Sequence, residues 1–152
     1  MTAAVRKARV EDLPAIVAML ADDVLGRTRE DAGPPLNPVY AEAFSAMERD
    51  PNQLPVVLED EGAIVGYLQL TFIPGLSLKG MLRGQIESVR IASSRRGQRL
   101  GHVLLEWAIA ECRRRGCGMV QLAMNKSRED TLRFYKSLGF VASHDGFKLT
   151  LS

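Results

Sequence analysis

Val89-Arg90-Ile91-Ala92-Ser93-Ser94-Arg95-Arg96-Gly97-Gln98-Arg99-Leu100-Gly101-His102-Val103-Leu104-Leu105-Glu106 is the stretch that decides the fold. Its first residues end a strand-like run that begins at Met81. Its last residues open a helix in which Leu100, Leu104, Ala108 and Cys112 fall four apart, with Val103 and Trp107 beside them. Gly97 and Gly101 sit at the corner between strand and helix. The first amides of a helix have no intrahelical acceptor and the dipole places positive charge there, so the corner is an anion site. Glycine lets the backbone approach a phosphate closely. Arg95, Arg96 and Arg99 crowd the same helix end, where each cation is disfavoured by roughly 0.3 kcal/mol or more. A polyanionic ligand removes that conflict. Arg113, Arg114 and Arg115 lie at the other end of the helix, where the dipole favours cations, and read as a solvated cluster.

Working outward, Val5 to Val10 reads as a first strand, and Leu13, Ile16, Val17 and Leu20 as a helix begun by Glu11 and Asp12. After Gly33-Pro34-Pro35, Val39, Tyr40, Ala43, Phe44 and Met47 mark a second helix, ended by Asp50-Pro51. Val56 to Leu58 and Ile64 to Ile73 read as strands joined through Asp60-Glu61-Gly62. The run Met81 to Ile91 carries Gln85, Glu87 and Arg90 among apolar residues. Beyond Gly116, the apolar run Met119 to Met124 is expected to be a strand covered on both faces. Ser127 and Asp130 are spaced as a capping pair for a last helix, which Gly139 should end. Phe147 to Leu151 reads as a closing strand. The order β-α-α-β-β-β-α-β-α-β predicts a mixed sheet with helices on both faces, a three-layer α/β domain.

Composition sets the bounds. The 152 residues, 46% apolar and 25% charged, suit one soluble domain with its own core. A net charge of +2 does not favour nucleic acid as a partner. No apolar stretch reaches the roughly 20 residues that span a bilayer, and the amino end has no apolar leader region. Cys112 and Cys117 are too few for a disulfide framework or a zinc site, and His102 and His144 lack companions at ligand spacing. A cytoplasmic protein without metal is expected.

The run VRIASSRRGQRLGHVLLE resembles motif A of the GNAT superfamily of acetyl-CoA-dependent N-acetyltransferases, Gln/Arg-x-x-Gly-x-Gly/Ala. Arg96 stands at its first position and Gly101 at its last, while Arg99 occupies a place usually held by glycine. NKSREDTLRFYKSLGF, residues 125–140, resembles motif B. The resemblance extends over nearly the whole chain. It implies a single domain over residues 1–152 with the three-layer α/β/α fold, a mixed, mostly antiparallel sheet with a V-shaped splay. It also implies acetyl-CoA as co-substrate and transfer of its acetyl group to an amine. Val89, Arg90 and Ile91 match the strand that pairs with the pantetheine arm. Arg96, Gly97, Gln98, Arg99, Leu100, Gly101 and His102 match the pyrophosphate turn. Asn125 matches a position that bonds the cofactor. Tyr135 matches the general acid that protonates the departing sulfur, which suits a phenol that is neutral at pH 7.

An attacking amine must lose a proton, and Glu87, in a largely apolar strand, is the candidate base; an ordinary cross-strand partner for Arg83 or Arg90 is the competing account. Strict alternation places it on the side of Val89 and Ile91. Residues 22 to 50 form the acceptor-side region, with Asp22, Asp23, Glu30, Asp31, Arg27 and Arg29, a mixture that does not choose an acceptor. Three other readings stand beside the enzyme: a non-catalytic acetyl-CoA-binding module, which Arg99 favours; a nucleic-acid-binding protein using the arginine clusters, which the near balance of charges and 6% aromatic residues oppose; and an interaction domain. A homodimer is compatible with the family. Neither a nucleic acid nor a membrane is an expected partner.

Overall fold

The computed structural model describes residues 3–23, 25–126 and 129–152. Ser127, the expected cap of the last helix, lies outside them. The chain divides into two compact units, Met1–Gln121 and Leu122–Ser152.

In the first unit β1 (Ala4–Lys7) leads through a 3₁₀ turn into α1 (Leu13–Ala21), followed by one helical turn, α2 (Gly26–Arg29), and by α3 (Val39–Arg49). The hairpin β2 (Gln53–Asp60) and β3 (Ala63–Ile73) turns at Glu61 and Gly62, both at positive φ. A short turn, α4 (Ser77–Gly80), precedes β4 (Arg83–Ile91), and α5 (Leu100–Arg114) then crosses to β5 (Met119–Leu122). The sheet order is β1-β2-β3-β4-β5, with the first three pairings antiparallel. β5 runs alongside β4 in the same direction, since the Gly118 amide donates to Leu82 and Gln121 to Gln85. The sheet is therefore mixed and mostly antiparallel, as expected.

Apolar residues pack on both faces. Leu13, Ile16 and Met19 of α1 and Phe44 of α3 pack with Val57 and Tyr67 on one. α5 covers the other, where Leu104, Leu105 and Ala108 are fully buried. Gly84 makes that packing close, because a Cβ there would overlap Cys112 Sγ. The Arg115 guanidinium lies 4.1 Å from the Phe72 ring centre, and Arg114 and Arg115 pair with Glu111. Arg114 and Arg115 are thus satisfied locally.

Two expectations are corrected. β5 is an edge strand in the order, and Met119 is 42% exposed, so it is not covered on both faces. Phe147 to Leu151 forms no strand: its alternation suits one, but a strand needs a neighbour's ladder, and Phe147 is 93% exposed. In the second unit α6 (Glu129–Ser137) ends where Gly139 takes φ 97°, as the sequence indicates.

Candidate active site

β4 is interrupted at its centre. Glu87 opposes Gln69 and Arg90 opposes Tyr67, so three steps along β4 match two along β3. Ser88 absorbs the extra residue at φ 59°, in the left-handed region that costs a non-glycine residue about 1 kcal/mol. This is a β-bulge, and it re-aims side chains. Tyr67 and Gln69 lie two apart on one face of β3, and cross-strand partners share a face. Glu87 and Arg90 therefore stand together, while Ile91, opposite Gly66, lies on the other face. The strict alternation that grouped Glu87 with Ile91 fails at Ser88.

Glu87 belongs to a polar row across this face. Thr71 Oγ1 lies 3.5 Å from Glu87 Oε1 and donates to Gln53 Oε1 at 2.9 Å, which also accepts from Gln69 Nε2 at 2.8 Å. Gln85 extends the row to β5 by accepting from Gln121 Nε2 at 3.0 Å, and Gln121 accepts from Arg83 at the same distance. Beside Glu87, burial first and the nearby carboxylate second push the Tyr67 phenol above its ordinary range, so it stays protonated. Gln53, Tyr67, Gln69 and Thr71 were not singled out from the sequence. Their signal is polar residues at alternate positions of β3, matched by Gln85 and Glu87 on β4.

Arg90 connects this face to the acceptor-side region. Its Nη1 donates to the Val89 carbonyl at 2.9 Å, and its Nη2 lies 3.5 Å from Asp23 Oδ2. Asp23 also accepts from the amide of Gly26, the first residue of α2. Of the other acids expected in this region, Glu30 accepts from the Tyr40 hydroxyl at 2.8 Å and Asp31 from Asn37 at 2.9 Å.

The turn after β4 is open. Arg96, Gly97, Gln98 and Arg99 are exposed, Gly101 and His102 half-buried, and Leu100 buried beneath them. Gly97 takes φ 82°, and a Cβ there would meet nothing within 4 Å. Arg99 caps α5 in the left-handed conformation, φ 59° and ψ 20°, at the place that usually carries glycine. Arg95, expected to crowd the site, instead pairs with Asp60 of β2 and donates to Gln98 Oε1 at 2.9 Å.

In the second unit Asn125 is exposed. Tyr135 is buried, edge-on to Phe134 at 5.2 Å and to Phe140 at 5.7 Å between ring centres. Cys112 is no nucleophile: burial, and then Cys117, pushes its thiol up to about 12. Among the described residues no three His, Cys, Asp or Glu side chains gather as a metal site, and no helix is long and apolar enough to cross a membrane.

The model of the acetyltransferase (GNAT) family matches residues 18–140. The chain belongs to that family. Similar proteins include the aminoalkylphosphonate N-acetyltransferase of Salmonella typhimurium, 28% identical over 96% of this chain and 90% of that one. The L-methionine sulfoximine/L-methionine sulfone acetyltransferase of Pseudomonas paraeruginosa is 29% identical over 94% of this chain and 83% of that one. Among solved structures, a Bacillus halodurans C-125 protein described as a transcriptional regulator is 46% identical, with a TM-score of 0.95 over 98% of this chain and 99% of that one. A Trypanosoma brucei acetyltransferase is 28% identical, with a TM-score of 0.79 over the same shares.

Proposed function

We propose that residues 1–152 form one acetyltransferase domain that moves the acetyl group of acetyl-CoA directly onto a primary amine. The observation that carries this reading is the placement of Glu87 on a polar sheet face, on the strand that runs into an open, glycine-containing helix start. The turn from Arg96 to His102 fits a pyrophosphate: Arg96 to Arg99 are exposed, the first amides of a helix have no intrahelical acceptor, and Gly97 leaves room for close approach. Val89, Arg90 and Ile91 offer strand backbone to the pantetheine arm, and Asn125 a side-chain amide. Bound acetyl-CoA supplies an activated acyl group and a thiolate leaving group.

The protein's own residues manage the protons. Glu87 takes one from the acceptor's ammonium, directly or through water, and exposes the nitrogen lone pair. Tyr135 gives one to the departing sulfur. Each transfer is worth about 10²-fold or more in rate. The names of the Salmonella and Pseudomonas relatives support a small amine as acceptor.

Thermal unfolding with acetyl-CoA, coenzyme A and ATP tests the first half of the reading. At about 100 times its dissociation constant a ligand adds roughly 2.7 kcal/mol, about 5–10 °C here. A shift larger for the two coenzymes than for ATP is expected; no shift contradicts the reading. Turnover of an amine then separates the enzyme from a non-catalytic binding module. The description of the 46% identical Bacillus protein as a transcriptional regulator favours a second reading, a part in transcriptional regulation, which direct contact with DNA would serve. Such contact requires salt-sensitive retardation of duplex DNA, which a net charge of +2 and 6% aromatic residues do not favour.

A further inference from the structure

The bulge at Ser88 arranges charges in a particular order. Asp23, Arg90 and Glu87 follow one another as acid, base and acid, the first two in contact at 3.5 Å and the last two on one face across the bulge. Without the extra residue the alternation of a strand would send Arg90 to the opposite face from Glu87. With it, the two side chains leave the sheet about 7 Å apart, the rise of two strand residues. Arg90 is also half-buried between Tyr67 and Asp23, its side chain 17% exposed, where charges interact more strongly than in water.

We infer that the acceptor is a small amine carrying an acidic group, a carboxylate or phosphonate, a few bonds from its nitrogen. Arg90 holds the acid and Glu87 faces the ammonium. This rests on the acetyltransferase reading and narrows it. A guanidinium presents a planar fork that matches a carboxylate or phosphonate, whereas the ammonium needs the acceptor-only carboxylate that also takes its proton. Asp23 keeps Arg90 in place before the acceptor arrives. A diamine meets the opposite difficulty, since its second cation falls against Arg90. Arg90 therefore selects the acceptor, while Glu87 performs the proton transfer.

The test compares 2-aminoethylphosphonate and β-alanine with propylamine, ethanolamine and putrescine as acceptors from acetyl-CoA. The acidic amines are expected to have kcat/KM about 50-fold above the others, as a charge-assisted contact implies. Arg90→Gln should collapse that ratio to about 3-fold, acting through KM, and Arg90→Lys should restore part of it. Preference of the wild type for putrescine or propylamine, or an equal loss for both classes in Arg90→Gln, overturns the inference. If no amine turns over, the acetyltransferase reading fails on its own. Calorimetric binding to the coenzyme A-saturated protein then decides this one: 2-aminoethylphosphonate must bind more tightly than ethanolamine, and equal binding refutes it. Should Arg90→Gln not fold, the wild-type preference and Arg90→Lys carry the test.

Discussion

The two faces of β4 were made by different rules. Toward α5 the strand shows Gly84 and Ile86, a glycine that admits Cys112 and an isoleucine that is 1% exposed. Toward the other side it shows Gln85, Glu87 and Arg90, with a left-handed serine between the last two. The first face follows the ordinary period of a strand and is filled to contact. The second breaks that period and leaves charged groups near one another. A position that sacrifices regularity to bring a carboxylate beside a guanidinium is where chemistry is to be sought.

Substitutions on the packed face should cost stability, and those in the proposed chemistry should cost rate. Gly84→Ala forces a methyl into Cys112 Sγ, and overpacking of this kind costs about 1–3 kcal/mol. Cys112→Ala in the same chain should recover part of the loss in a urea titration, and strict additivity of the two would break the packing account. Tyr135→Phe removes only a hydroxyl from a buried ring. It should lower kcat by about 10-fold or more with little change in acetyl-CoA binding. If binding collapses instead, Tyr135 serves the packing against Phe134 and Phe140 rather than proton transfer.

The helix that covers the polar side can be loosened with acid. Arg6 donates to Asp12, at the start of α1, at 2.8 Å and to Glu59 at 2.6 Å. Its hydrogen bond holds the Asp12 carboxyl below its ordinary range. A carboxyl depressed in this way stabilises the folded state above its unfolded value of about 3.9, and the contribution is lost as pH falls through the folded value. Stability measured from pH 6 down to pH 3 should therefore fall more steeply for the wild type than for Asp12→Asn. The difference at pH 6 is about 1 kcal/mol, because the pair is partly solvated. Parallel curves would remove the ion pair as the cause.

The smallest expected effect lies at the turn. Arg99→Gly relieves a left-handed arginine and removes a cation from a helix start, and should raise stability by about 0.5–1 kcal/mol. Coenzyme binding should tighten or hold. A clear loss of binding would show that the Arg99 side chain itself grips phosphate.

What was legible in the sequence follows the same division. The 3.6-residue period from Leu100 to Cys112 and the apolar runs of β2 and β3 report a core, and the core forms where they place it. Gly97, Gly101 and the arginines marked the corner between strand and helix, and α5 begins there, because a glycine-containing turn ahead of a 3.6-residue period needs no tertiary context. Arg95 was misjudged, since its partner Asp60 comes from a hairpin 35 residues earlier, a distance no local pattern encodes. Ser88 carried no signal either. Serine is not the residue a left-handed position prefers, so strict alternation hid the placement of Glu87 and Arg90 on one face. The closing strand failed for a related reason: Phe147, Leu149 and Leu151 alternate as a strand does, but alternation supplies no hydrogen-bonding neighbour.

The central claim is that the bulged face of β4 performs the proton transfer, and the pH dependence of Glu87→Gln tests it most directly. Acetylation of 2-aminoethylphosphonate by wild type and variant would be followed from pH 6 to pH 10 through release of the coenzyme A thiol. The account predicts a loss of about 10²-fold at pH 6 to 7, where the amine is charged, shrinking toward pH 10 as it deprotonates unaided. A loss of the same size at every pH, or no loss at all, would contradict the assignment and return Glu87 to the hydrogen-bonded row in which it stands.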